Sequence, residues 1–129
     1  MAIIHKERKK ANEVDNMTLV GDVEGKIAIL VDDMADTCGT LKLAAETLQK
    51  KGAVEIYMLA SHGVLSGSAK DKIEQSPLKE LVVTNSIMLN DENRKCNKIK
   101  TIDISVMLAE AIRRTHNGES ISTLFSDRD

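Results

Sequence analysis

Apolar residues fall in short blocks separated by polar loops, and the blocks alternate between two periods. Lys26-Ile27-Ala28-Ile29-Leu30-Val31 is almost continuously apolar and ends at Asp32-Asp33, the pattern of a strand buried on both faces. A loop over 34–39 follows, then Leu41, Ala44, Ala45 and Leu48 recur at three- and four-residue spacing, with Lys50-Lys51 in the last turn and Gly52 as the stop. That pattern predicts an amphipathic helix. Residues 54–60 read as the next strand, 66–75 as a short helix and 78–84 as a third strand. Residues 98–102 give a further short strand, and Val106, Leu108, Ala109, Ala111 and Ile112 mark a helix closing on Arg113-Arg114 near Gly118. Strand and helix alternate and the chain holds one proline, so the expected architecture is α/β, an open, mostly parallel sheet flanked by helices with right-handed crossovers. The polar stretch 90–98 reads as a surface loop rather than a linker. The pattern describes one domain over 1–129, without repeats or low-complexity tracts. Ala2-Ile3-Ile4 reads as the end of a strand cut short before a basic loop, so the domain is expected to be incomplete at its amino end.

Composition narrows the function classes. The chain has 129 residues, 18 basic against 20 acidic, and a formal net charge of −2, which does not suit a polycation coating nucleic acid. Tyr57 and Phe125 are its only aromatic residues, too few for a base-stacking surface. The core must come from Ile, Leu, Val, Ala and Met, and the scattered methionines read as core filler. Cys38 and Cys96 are too few for a disulfide framework or a four-cysteine zinc cluster, and a reducing compartment is expected. No apolar run approaches the roughly 18–20 residues that span a bilayer, and His5-Lys6-Glu7-Arg8-Lys9-Lys10 interrupts any leader-like pattern. The expected setting is cytoplasmic, with neither membrane nor nucleic acid as partner.

In open α/β sheets ligands bind beyond the carboxyl ends of the strands, with anions at the following helix N-terminus. Asp32-Asp33-Met34-Ala35-Asp36-Thr37-Cys38-Gly39-Thr40 occupies that position. Adjacent carboxylates accept hydrogen bonds from a vicinal diol or approach a cation, while Thr37, Gly39 and Thr40 offer hydroxyls and unobstructed backbone to a phosphate. The alternative is an acidic loop with Asp36 or Thr37 as an ordinary helix cap. Lys6, Arg8, Lys9 and Lys10 could stabilise charge on phosphoryl oxygens if the chain stays extended, or form a solvated basic loop. Asp22 reads as a turn residue. Cys38 could be a thiolate stabilised at a helix start, but no histidine nearby in sequence pairs with it. His5, His62 and His116 share no metal-ligand spacing with the cysteines, and no metal site is expected from the protein alone. His62-Gly63 stands at the ligand edge of the sheet.

Val31-Asp32-Asp33-Met34-Ala35-Asp36-Thr37-Cys38-Gly39-Thr40 resembles the ribose 5-phosphate loop of the ribose-phosphate pyrophosphokinase family. Ile4-His5-Lys6-Glu7-Arg8-Lys9-Lys10-Ala11-Asn12-Glu13-Val14, Leu19-Val20-Gly21-Asp22-Val23, Val83-Thr84-Asn85 and residues 109–122 resemble the carboxyl-terminal portion of the same family, in order and with compatible spacing. The likeness covers almost the whole chain and implies a type I phosphoribosyltransferase-like fold.

The reaction the resemblance implies transfers a pyrophosphoryl group from magnesium-bound ATP to the 1-hydroxyl of ribose 5-phosphate. Asp32 and Asp33 would hold the ribose hydroxyls, and Asp36, Thr37, Cys38, Gly39 and Thr40 the 5-phosphate. Lys6 and Arg8 match the family's catalytic basic pair, stabilising the transferring group electrostatically. The family's tail takes part in regulation by phosphate and ADP, which makes Ser120 and Ser122 candidate anion contacts at a subunit interface. Thr123 stands where an aromatic residue is common, and Asp127-Arg128-Asp129 is a different ending. Family enzymes are roughly two and a half times longer, with two related α/β domains. This chain has no counterpart of the amino-terminal domain with its ATP-binding residues, nor of the acidic-glycine pyrophosphate loop. It is therefore expected to be catalytically incomplete alone. The partners implied are ribose 5-phosphate, nucleotide, and either further copies or full-length synthetase subunits. The alternative is a non-catalytic binding or assembly module. A simple phosphoribosyltransferase is disfavoured because no base-binding hood is visible.

Overall fold

The computed structural model describes residues 3–7 and 16–125. A two-stranded antiparallel ribbon opens the chain, β1 (Ile3–Glu7) against β2 (Asn16–Val20), with Lys6 opposite Met17. Then come β3 (Ile27–Ala35), α1 (Gly39–Lys50), β4 (Glu55–Gly63), α2 (Ala69–Gln75), β5 (Glu80–Thr84), α3 (Asp91–Arg94), β6 (Ile99–Ile102), α4 (Ser105–His116) and a 3₁₀ turn at Ser122–Leu124. Strands β3, β4, β5 and β6 form one parallel sheet in that spatial order. The parallel sheet with its helices is as the periodicity predicts. Residues 3–7, read as a strand stub and basic loop, instead pair as a strand, and the 90–98 loop contains the short α3.

Neighbouring strands that follow one another in sequence, joined by right-handed crossovers, carry their connecting helices on the same side. That side is the core. Ala28, Ile56, Met58, Ala60, Leu81, Val83 and Ile99 from the sheet meet Leu41, Ala45, Leu48, Ala69 and Ile73 from α1 and α2. The apolar stripe read on α1 is the buried one, Leu41, Ala44, Ala45 and Leu48. The reading of β3 as buried on both faces is corrected: Ala28 faces the core, while Ile29 and Val31 are 60% and 78% exposed. A continuous apolar run reports what a strand is suited to bury, and no layer covers this face among the described residues. The amphipathic α4 likewise buries none of its residues. Methionine as core filler holds for Met58, whereas Met34, Met88 and Met107 are exposed.

Polar links tie the loops to the layers. Lys98 Nζ donates to the carbonyls of Ile73, Glu74 and Ser76 at 2.8–3.3 Å, closing the end of α2. The buried Asn93 donates from Nδ2 to the Leu65 carbonyl, 3.1 Å, and its own N–H is capped by the Asn90 side chain. Asp22 is the expected turn residue, accepting from Glu24 N–H at 3.0 Å and pairing with Lys26 at 2.8 Å.

The one-sided core makes an apolar residue on α2 and one on α4 energetically unequal. Ile73→Ala, at a fully buried position, should destabilise the fold by about 2–5 kcal/mol. Val106→Ala, on the exposed face of α4, should stay within about 0.5 kcal/mol of the parent. Urea unfolding of both variants measures the contrast, and comparable losses would mean that α4 is packed in solution.

Candidate functional site

The carboxyl end of β3 and the start of α1 border a cleft of about 540 Å³, lined among others by Asp32, Asp33, Asp36, Thr37, Cys38 and Thr40. Asp32 and Asp33 lie inside β3 rather than past its end, so the pleat sends the two carboxylates to opposite sides of the strand. Both are exposed and both border the cleft. Asp32 Oδ1 accepts from the Asp33 N–H at 2.9 Å, which fixes the pair at the rim.

The helix start differs from the expected cap. Neither Asp36 nor Thr37 is the N-cap. Cys38 is, in the left-handed region at φ 57°, with no side-chain cap. Gly39 and Thr40 open α1, and Lys42 N–H donates to the Cys38 carbonyl at 3.0 Å. The first-turn N–H groups of a helix have no intrahelical acceptor, and their summed dipole favours an anion there. Cys38 itself is buried, and burial pushes its thiol from the ordinary 9.0 up to about 11, against the lowering pull of Lys72. That is the opposite of an activated thiolate.

A second loop braces the first. Because β3 and β4 are parallel neighbours, their carboxyl ends stand side by side, with Met34 level with His62 and Ala35 with Gly63. Leu65 N–H donates to the Ala35 carbonyl at 3.1 Å, Ser66 Oγ donates to Asp36 Oδ1, and Lys72 Nζ donates to the Thr37 carbonyl at 2.9 Å. Leu65, buried, also holds a positive φ, 48°. Two non-glycine residues in this sparsely allowed region, one in each loop, mark backbone that its surroundings over-determine. Ser66 and Lys72 carry no local sequence signal, since each meets a loop 30 or more residues away. Only the strand order brings them there.

The His62-Gly63 pair divides between positioning and packing. The ladder with β5 shifts register between Ala60 and His62, and the Ser61 carbonyl is taken up by Thr84 Oγ1 at 2.6 Å and Ser86 Oγ at 3.3 Å. Ser86 Oγ lies 2.7 Å from His62 Nδ1. Gly63 is required by close approach: a Cβ there would sit 3.0 Å from Val83 Cγ2.

The remaining candidates lie elsewhere. Lys6 is in β1, and Arg8, with Lys9 and Lys10, lies outside the described residues. Ser120 and Ser122 follow α4, their hydroxyls 2.7 Å apart. Arg114 donates to the Ser120 carbonyl at 3.0 Å and to Thr123 Oγ1, while Arg113 bridges Glu110 and Glu119. Hydrogen bonds from Arg113 and then Arg114 hold the Glu110 carboxyl down at about 2. Among the described residues no group of three or more His, Cys, Asp or Glu could hold a metal ion.

Two titrations report on this geometry. Cys38 should react slowly with an exposed-thiol reagent at neutral pH and faster as pH rises toward about 11, read by mass spectrometry of the labelled peptide. Its folded value lies above the ordinary 9.0, so its contribution to stability is whole below 9.0 and is lost as pH rises between the two. Glu110 has the opposite sign. Its depressed value means that its pairs with Arg113 and Arg114, the two side chains that reach the tail at Glu119, Ser120 and Thr123, are whole above 4.5 and are lost as pH falls toward about 2. Proteolysis by an acid-active protease across that interval should cut near residue 119 increasingly as pH falls, and a flat profile would remove the Glu110 network as the tail's anchor.

Comparison with known proteins agrees with this architecture. Residues 1–126 match a family described as the phosphoribosyl synthetase-associated domain. Ribose-phosphate pyrophosphokinase A of Dictyostelium discoideum is 64% identical over 127 residues, covering 98% of this chain and 40% of that protein. Ribose-phosphate pyrophosphokinase 2 of Schizosaccharomyces pombe is 61% identical over 125 residues, 97% of this chain and 39% of that protein. The crystal structure of phosphoribosylpyrophosphate synthetase from Mycobacterium smegmatis superposes with a TM-score of 0.81 at 35% identity, over 91% of this chain and 37% of that one. The chain thus spans about 40% of the length of the curated relatives it matches, and its sheet has the phosphoribosyltransferase-like fold of that synthetase. On these grounds the chain belongs to the ribose-phosphate pyrophosphokinase family, corresponding to its carboxyl-terminal, phosphoribosyl synthetase-associated domain.

Proposed function

We propose that this chain supplies the ribose 5-phosphate half-site for pyrophosphoryl transfer from magnesium-bound ATP to the 1-hydroxyl of the sugar, giving phosphoribosyl pyrophosphate. The observation that carries the reading is the single cleft shared by Asp32, Asp33 and the residues opening α1, which puts diol acceptors and an anion-favouring helix start within one site. Asp32 and Asp33 take the ribose hydroxyls, and residues 36–40 take the 5-phosphate. Lys6 and Arg8 are assigned to the transferring phosphoryl, where positive charge lowers the barrier by compensating charge on its oxygens. Nothing among the described residues forms a protein cage for magnesium, so the ion belongs to this reading as part of the ATP substrate. Residues 1–129 act as one partial domain, and the nucleotide side of the reaction falls to sequence for which this chain has no counterpart. Ser120 and Ser122 are assigned to phosphate or ADP at a subunit contact, next to Arg114. Two free, buried thiols fit a reducing, cytoplasmic setting, and no described helix is long and apolar enough to cross a membrane.

A second reading, an assembly module joining further copies or full-length synthetase subunits, is favoured by a specific observation. Ile29 and Val31 on the sheet and Val106 and Ile112 on α4 are all exposed, and uncovered apolar surface of this kind is the usual mark of an interface. Co-expression with a full-length relative carrying a tag separates the readings: a mixed complex of fixed stoichiometry supports assembly.

Titration calorimetry with ribose 5-phosphate and magnesium tests the half-site. The folded chain should bind the sugar phosphate saturably, and Asp33→Ala should weaken it at least about tenfold, the loss expected for a charge-assisted pair. A folded chain that does not bind, or an Asp33→Ala variant that binds equally well, would leave the assembly reading in its place.

A further inference from the structure

Resting on the half-site reading above, we infer that Lys72 of α2 is a positioning residue for the phosphate end of that site. Its ammonium fixes the Thr37 carbonyl, and so the left-handed Cys38 and the first turn of α1, in the geometry that faces an anion.

Three features carry this. First, the peptide that Lys72 holds is the one joining Thr37 to the strained cap: its Nζ lies 2.9 Å from the Thr37 carbonyl, and the next residue, Cys38, has φ 57°. A non-glycine residue leaves that region readily when released; Cys38 has no side-chain cap bond, and its Sγ donates only to the Asp36 carbonyl of the same loop at 3.5 Å. Second, the brace is rigid. Lys72 N–H is bonded to the Ser68 carbonyl, and the adjacent Ile73 is fully buried in the core, so the lysine stem starts from an anchored backbone. The loop before α2 adds two bonds, Leu65 N–H to the Ala35 carbonyl and Ser66 Oγ to Asp36, which fix residues 35 and 36 but leave residue 37 to Lys72. Third, the lysine brings charge. Its Nζ, 2.9 Å from the Thr37 carbonyl, stands beside a loop whose own side chains are acidic at Asp32, Asp33 and Asp36. Without it, a phosphate would meet that loop's negative charge with only the helix start to offset it.

Lys72 thereby offsets the carboxylates without occupying the ligand's place, since it is not among the residues lining the cleft. A salt-screened surface lysine would offer charge without geometry, whereas a bond to the Thr37 carbonyl offers both.

The test compares Lys72→Met, which keeps the length of the stem, with Lys72→Arg, which keeps the charge and a donor. Amide hydrogen exchange is followed over residues 36–41 and, as an internal reference, over β5. Lys72→Met should speed exchange in 36–41 about tenfold or more with β5 unchanged, and Lys72→Arg should restore it. A uniform acceleration including β5 means a merely structural role, and unchanged exchange means no role; either overturns the inference whether or not the sugar binds. Calorimetry is then run with ribose 5-phosphate. Lys72→Met should bind about tenfold more weakly than the parent, with Lys72→Arg near the parent, and equal affinities in parent and Lys72→Met overturn the inference. A parent chain that fails to bind overturns the half-site reading instead, while the exchange comparison still decides whether Lys72 holds the loop.

Discussion

Everything described here depends on the order of one parallel ladder. Strands β3, β4, β5 and β6 lie side by side in the sequence in which they are made, and right-handed crossovers then confine the connecting helices to one face. Two consequences follow from that geometry. The carboxyl ends of the strands line up, so the loops leaving β3 and β4 become neighbours and can brace each other. The opposite face receives no helix from these connections, and Ile29 and Val31 on it stay exposed. The site and the open face are thus products of the same topology. The half-site and assembly readings draw on different parts of one structure rather than competing for the same residues.

The loop between β3 and α1 shows how strain and bracing are coupled. Cys38 occupies a conformation that glycine would adopt without cost, and it does so as the cap of a helix with no side-chain acceptor of its own. Such a residue persists only where neighbours hold it. Here Leu65, Ser66 and Lys72 bind three successive residues ahead of it, Ala35, Asp36 and Thr37. Leu65 is itself at positive φ, and its carbonyl is tied to the buried Asn93. The order in the first loop therefore extends through the second into α3, behind β5. A cleft built this way is set before ligand arrives, which spares the ordering entropy that a free loop would lose on binding.

Much of this was legible in the residues alone because it is local. The three- and four-residue spacing of Leu41, Ala44, Ala45 and Leu48 identified a buried stripe, and the same four are buried. The carboxylate run after Val31 marked the part of β3 that borders the cleft, although Asp32 and Asp33 lie within the strand, and the resemblance of 31–40 named a family that the comparisons show. What escaped was what depends on distant neighbours. Burial on both faces of β3 is what its apolar run suits, yet whether a layer exists to provide it is decided outside the run. Side-chain chemistry favours Asp36 or Thr37 as the cap, but the backbone turns at Cys38, one residue past the carbonyl that Lys72 of α2 holds. Lys6 was read as part of a loop because charged residues dominate its surroundings, while its pairing partner Met17 lies eleven positions away.

The tail follows the same logic at smaller scale. Arg113 and Arg114 close α4, where cations complement the macrodipole. In the fold they do more than that. Arg113 joins Glu110 on the helix to Glu119 beyond it, and Arg114 reaches the Ser120 carbonyl and Thr123. Arg114 thus holds the Ser120 carbonyl and the Thr123 hydroxyl beside the Ser120–Ser122 hydroxyl pair, and its carboxylate partner, Glu110, is shared with Arg113. Two guanidiniums are matched by two carboxylates, Glu110 and Glu119, so the corner is a closed ion-pair network that ties the turn after α4 to the helix.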